Sequence, residues 1–133
     1  MSDERHDPGV GAFAQLLGAR RADMGEGSCR FELIADPRHL NPHGAVHGGV
    51  VYSLVDYAMG GALTSRLAPG ERCATLEIKI NYLAAAAAGP LAARATVVDR
   101  TTRIGVLEAR VTDGEGRLIA LATGSFFIQA PRA

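Results

Sequence analysis

The sequence predicts an α+β domain with one antiparallel sheet of five strands and a single long helix lying on it. Two observations carry this. Residues 49–66 hold one apolar stripe at helical period, stopped by Ala68-Pro69-Gly70. Four strand-like segments follow, with Asp113-Gly114-Glu115-Gly116 as a hairpin signal between the last two. The chain has 133 residues, 47% hydrophobic and 21% charged. That length holds one core and excludes two, and the composition excludes global disorder.

In chain order, residues 1–12 are expected to be a flexible N-terminal segment, charged and carrying Pro8 and Gly9, ahead of one domain over 13–133. Phe13, Leu16 and Leu17 have helical spacing, which suggests a short helix ending near Gly18. Residues 29–35 alternate as a strand. Residues 36–47 carry two prolines and Gly44 and read as loop. After the long helix, strands are expected over about 74–83, 91–101, 103–112 and 117–128, in antiparallel succession. Thr101-Thr102 links one antiparallel pair. The five alanines 84–88 are too few for an independent helix between two strands, so they read as a loop or an extended edge.

Acidic and basic residues are equal at 14 each. The zero net charge removes any whole-chain argument for nucleic acid or an anionic membrane as partner. No apolar run approaches a membrane span and no secretory signal is visible, so a cytoplasmic location is expected. Cys29 and Cys73 fall in strands and form no zinc-type spacing; they read as small buried apolar groups. His39, His43 and His47 are four apart, but Pro42 and Gly44 prevent the helix that would align them. His39 and His43 read as surface residues, and neither metal nor cofactor is expected.

Placed on a helical wheel, Val50, Val51, Leu54, Val55, Ala58 and Ala62 form the core stripe. The opposite face carries Gly49, Tyr52, Ser53, Asp56, Gly60 and Thr64. A solvent face normally carries Lys, Glu and Arg. A lone carboxylate among small residues points instead to close approach by a ligand or a second chain, and the uncovered face calls for oligomerisation. Before the helix, His47-Gly48-Gly49 leaves backbone N–H groups unshielded at its positive end, where an anion or a developing oxyanion is stabilised. Tyr52, Tyr57, Met59 and Tyr82 could line a pocket or simply pack. Arg100 and Arg103 are candidates for phosphate contacts.

Asn41, Gly44, His47-Gly48-Gly49, Leu54, Asp56 and Met59-Gly60 together resemble the PaaI-type acyl-CoA thioesterases of the hotdog fold. Residues 75–83 (TLEIKINYL) look like their second core strand, and 122–127 (ATGSFF) like their last. The resemblance implies five antiparallel strands wrapped around a central helix, in homodimers that often pair into homotetramers. It implies hydrolysis of an acyl-CoA at the dimer interface. By position, Asp56 would be nucleophile or general base, the Gly48 N–H would polarise the thioester carbonyl, and Asn41 and His47 would orient substrate or water. Thr75 sits where the family often has Ser or Thr near the carboxylate. One departure is the alanine run 84–88, where the family commonly places a polar or basic residue and Pro.

Asp56 and Gly48 are eight residues apart, so about 12 Å along the helix. One carbonyl cannot touch both within a chain. Two antiparallel helices in a two-fold dimer would bring Asp56 of one chain opposite Gly48 of the other. Two other functions stay open: a 3-hydroxyacyl thioester dehydratase pairing His47 with Asp56, and a non-catalytic acyl-CoA-binding module. Aromatic, short and medium acyl groups all remain open.

Overall fold

The computed structural model describes residues 9–132, so the expectation for residues 1–8 lies outside the described residues. The elements run α1 (Gly11–Leu17), β1 (Arg20–Gly25), β2 (Ser28–Ala35), α2 (Gly48–Thr64), β3 (Arg72–Tyr82), β4 (Gly89–Arg100), β5 (Ile104–Asp113) and β6 (Leu118–Gln129), with a single 3₁₀ turn at Pro37–His39. α1 stops at Gly18, whose left-handed φ of 79° lets its N–H reach back to Ala14 and Gln15. α2 is flanked by the expected loop on one side and by the residues before β3 on the other.

The six strands form one antiparallel sheet in the order β1-β2-β4-β5-β6-β3. Two features differ from the sequence expectation. The first is β1, a sixth strand. Its side chains are exposed at five of six positions, so it shows no apolar alternation and is held by backbone pairing to β2. The two-residue turn at Glu26 and Gly27, with φ of 54° and 80°, closes that hairpin. The second is that β3 and β4 are not neighbours. β3 pairs with β6 and β4 with β2, so residues 84–88 cross over between them instead of closing a hairpin. The crossover is pinned: Val46 N–H donates to the Ala86 carbonyl at 2.8 Å, and Ala86 is buried.

The sheet wraps α2. All six residues of the predicted stripe are buried, together with Met59 and Leu63. Facing them, β4, β5 and β6 present Ala93, Ala95, Ala109, Ala120 and Ala122, all buried. Short side chains on the sheet let the helix settle close, and Phe31, Leu33, Leu91, Leu107 and Ile128 fill the flanks. At the turn after β5, Asp113 Oδ1 accepts from Glu115 and Arg117 N–H, and these bonds hold its carboxyl below the usual range. No helix of the described residues is long and apolar enough to cross a membrane.

β3 ends the sheet. It is eleven residues long, bonded on one side to β6, and exposed at eight positions including Leu76. A long, exposed edge of this kind, here with one bulge between Thr75 and Glu77, is a template for pairing with another chain.

Candidate active site

The first turn of α2 is built by His47. It is the N-cap, with an extended backbone (φ −61°, ψ 137°), and its Nδ1 accepts from Gly49 N–H at 2.8 Å. Its carbonyl accepts from Val50 N–H at 3.0 Å. Since Nδ1 accepts, the ring proton sits on Nε2. The His47 ring lies over Gly49; a Cβ there would stand 3.0 Å from Nδ1, so the capping ring would have to shift to admit a side chain. With Gly49 and Val50 satisfied, the Gly48 N–H donates to no acceptor among the described residues. It stands at the positive end of a 17-residue helix.

Tyr82 fixes the same turn from the end of β3. Its hydroxyl donates to the Gly48 carbonyl at 2.7 Å, and its ring would stand 3.2 Å from a Gly48 Cβ. Partial burial, and then neighbouring Tyr52, raise the Tyr82 pKa above its ordinary 10. Asn41 shapes the loop alongside. Its Oδ1 accepts from His43 and Ala45 N–H at 2.9 and 3.2 Å, and its own N–H donates to the Ala45 carbonyl. The Asn41 side-chain amide N–H groups donate to no acceptor among the described residues. Asn41, Gly48 and Tyr82 share a cavity of about 360 Å³ with Ala84, Ala85 and Ala86. The alanine run thus forms a smooth wall beside the open N–H.

Asp56 lies two turns further along the outer face of α2, half-buried. Thr75 Oγ1, on β3, donates to its Oδ1 at 2.6 Å. Both line a second cavity of about 350 Å³. Its lining includes an aromatic group, with Tyr57 stacked on Phe31 at a ring-centroid distance of 5.2 Å and Phe126 and Gly60 alongside, and also Arg21 and Thr64. Cys73 also lines it, and burial pushes its thiol pKa up.

Asp56 and Gly48 therefore line separate cavities in one chain. Asp56 keeps Thr75, and Gly48 keeps Asn41 and Tyr82. Gly49 and His47 form the helix cap, and Tyr52 is half-buried on the outer face. Neither Arg100 nor Arg103 lines either cavity. Arg100 Nη1 and Nη2 donate to Glu71 at 3.1 and 3.4 Å, and Nη1 also reaches the Arg66 carbonyl. Arg103 is exposed. Met59 is fully buried core, not lining. His39 is buried as well, contrary to the surface expectation. Its Nε2–H donates to the Leu17 carbonyl at 2.7 Å and its Nδ1 accepts from Asp36 N–H, tying the loop to the end of α1.

Residues 43–120 match the sequence pattern of the thioesterase superfamily. A protein of Archaeoglobus fulgidus that bears an esterase name is 33% identical over 114 residues, covering 85% of this chain and 72% of the relative. The Escherichia coli PaaI protein from the phenylacetic acid degradation operon superposes with a TM-score of 0.83 at 27% identity, covering 90% of this chain and 85% of that one. A hypothetical thioesterase of Streptococcus pneumoniae, solved with coenzyme A, gives 0.77 at 27% identity, covering 86% and 88%. An α2 wrapped by its sheet, the His47-Gly48-Gly49 cap and the Asp56 carboxylate are thus accompanied by a match over most of the domain, and the chain belongs to the thioesterase superfamily as a hotdog protein of the PaaI type.

Proposed function

We propose that this chain hydrolyses acyl-CoA thioesters at sites shared between two copies. The observation that carries the reading is that one helix holds both a Gly48 N–H with no acceptor among the described residues, at its positive end, and a Thr75-bonded Asp56 carboxylate two turns further on. Thioester hydrolysis needs a donor for the carbonyl oxygen as it gains charge, and a carboxylate to deliver the attack. Asp56 does so by taking a proton from the attacking water, or as nucleophile, forming a mixed anhydride that water then hydrolyses. The carbon–sulfur bond breaks and CoA leaves as the thiolate, which takes up the proton that water releases. Asn41, with its free amide, orients the substrate, and His47 holds the Gly48 donor in place by capping the helix. Tyr82 lines the Gly48 cavity, whereas Tyr52 lines neither this cavity nor that of Asp56.

The spacing supports a composite site, since about 12 Å of helix separates the two groups. The open β3 edge offers the surface along which a second copy would add. The Streptococcus pneumoniae neighbour was solved with coenzyme A, which agrees with a CoA thioester as substrate. For the coenzyme phosphates, exposed Arg103 is the better candidate, because Arg100 is already paired with Glu71.

The test is thiol release from a panel of acyl-CoA substrates, with native mass measured on the same sample. Turnover by a dimer or tetramer supports the reading. Tight binding without thiol release would make the protein a binding module instead.

A further inference from the structure

Glycine in a helix interior is disfavoured, so the adjacent Gly60 and Gly61 of α2 each need a reason. Gly61 has one inside the chain. A Cβ there would collide with Cys29 Sγ and stand 3.2 Å from Cys29 Cβ, and Cys29 is fully buried in β2. Gly60 has none. Outside its own helical turn, the Phe126 ring at 3.8 Å is the one neighbour among the described residues within 4 Å of where its Cβ would sit. That is ordinary contact. The space in front of Gly60 is the cavity that Asp56 and Thr75 line.

Gly60 follows Asp56 by four residues, so it lies on the same face about 6 Å further along the axis. Most of the remaining lining is apolar, with Arg21 and Thr64 as its polar members. Phe31 and Phe126 are each 2% exposed, Tyr57 stacks on Phe31, and Val10 and Met24 also line the cavity. Pantetheine is polar along its length, so the acyl group is the part of the substrate that suits this lining.

We propose that Gly60 is a specificity-determining residue, whose missing side chain keeps open the passage by which medium-chain acyl groups reach the apolar lining of the Asp56 cavity. The inference rests on the reading of Asp56 as the carboxylate that acts on acyl-CoA. With the thioester held at Asp56, about 6 Å of acyl chain precedes Gly60, the reach of roughly five carbons. Butyryl ends before that point and decanoyl passes it. A side chain at residue 60 would project into the passage without entering the core, so it would obstruct long chains selectively.

The experiment measures kcat/KM for butyryl-CoA and decanoyl-CoA in wild type, Gly60→Ala and Gly60→Val, with native mass and melting temperature recorded for each. Wild type is expected to prefer decanoyl-CoA. The decanoyl-to-butyryl ratio should fall about tenfold or more in Gly60→Val, and less in Gly60→Ala, at unchanged native mass. A ratio within about twofold of wild type in both variants would overturn the proposal, as would a wild type that prefers butyryl-CoA. If Gly60→Val fails to fold or loses its oligomer and Gly60→Ala keeps the wild-type ratio, the glycine serves a contact between chains and the proposal falls. Wild type that releases no thiol from any acyl-CoA would remove the hydrolase reading, and this inference with it.

Discussion

The hydroxyl of Thr75 donates to Asp56 Oδ1 at 2.6 Å, linking the sheet edge to the outer face of the central helix. The bond engages Oδ1, and Oδ2 has no hydrogen-bond partner among the described residues. If Asp56 delivers the attack, Asp56→Asn should fold as wild type and lose about two orders of magnitude or more in kcat. Amide for carboxylate is nearly isosteric but can neither attack nor take a proton. Near-wild-type turnover would remove Asp56 from the mechanism.

Thr75 is a positioning residue in this scheme, because it acts through Asp56. Thr75→Val should lower kcat about tenfold with little change in KM, since the carboxylate loses its fixed orientation. Thr75→Ser keeps the hydroxyl and should recover most of the rate. A Ser variant as slow as the Val variant would show that the hydroxyl alone does not restore the rate, and would remove the positioning role from this hydrogen bond.

His47 makes a separable prediction. Its Nδ1 caps the helix through Gly49 N–H. His47→Ala should cost about 1 kcal/mol of stability, whereas His47→Asn restores a good capping oxygen. For a hydrolase, the activity lost in His47→Ala should be smaller than in Asp56→Asn and should largely return in His47→Asn. Loss in both His47 variants as deep as in Asp56→Asn, seen in hydration or dehydration of a 3-hydroxyacyl or enoyl thioester, would instead identify a dehydratase.

What the sequence makes legible follows burial. The apolar stripe of α2 is readable because one face of it is wholly buried. β1 is not readable by periodicity, since five of its six side chains face water and pairing with β2 is a backbone property; only the Glu26-Gly27 turn marks it. The crossover at residues 84–88 is equally hidden, because sheet order depends on which strands meet in space. At the site, the outer-face position of Asp56 follows from helical period alone. The aromatic group lining its cavity, made by Phe31, Tyr57 and Phe126, joins residues from β2, α2 and β6 that no spacing connects. His39 shows the same limit: its burial comes from the Leu17 carbonyl, 22 residues away.

Cys29 gives a pH dependence. Burial pushes its thiol from an ordinary value near 9 up to about 11. The folded chain therefore favours the protonated thiol. That contribution is complete below pH 9 and is lost as pH rises towards 11, because the unfolded chain ionises first. Urea midpoints should fall between pH 9 and 11 in wild type and more gently in Cys29→Ala. Parallel slopes in the two proteins would contradict the assignment.

The last prediction concerns the shared site. Suppose Asp56 comes from one chain while Asn41 and Gly48 come from the other. Asp56→Ala and Asn41→Ala are prepared separately, under conditions where each is inactive, then mixed in equal amounts, unfolded and refolded. Random pairing in a two-fold dimer gives about half hybrids. In each hybrid one site carries both substitutions and the other carries neither. Recovered activity should therefore approach about one quarter of wild type by the same two-fold counting. If both residues served a site within one chain, every site in every hybrid would carry one lesion and no activity would return. Mass spectrometry confirms that hybrids formed. Confirmed hybrids without activity would place Asp56 and Asn41 in the same chain's site, which the separate cavities of Asp56 and Gly48 argue against.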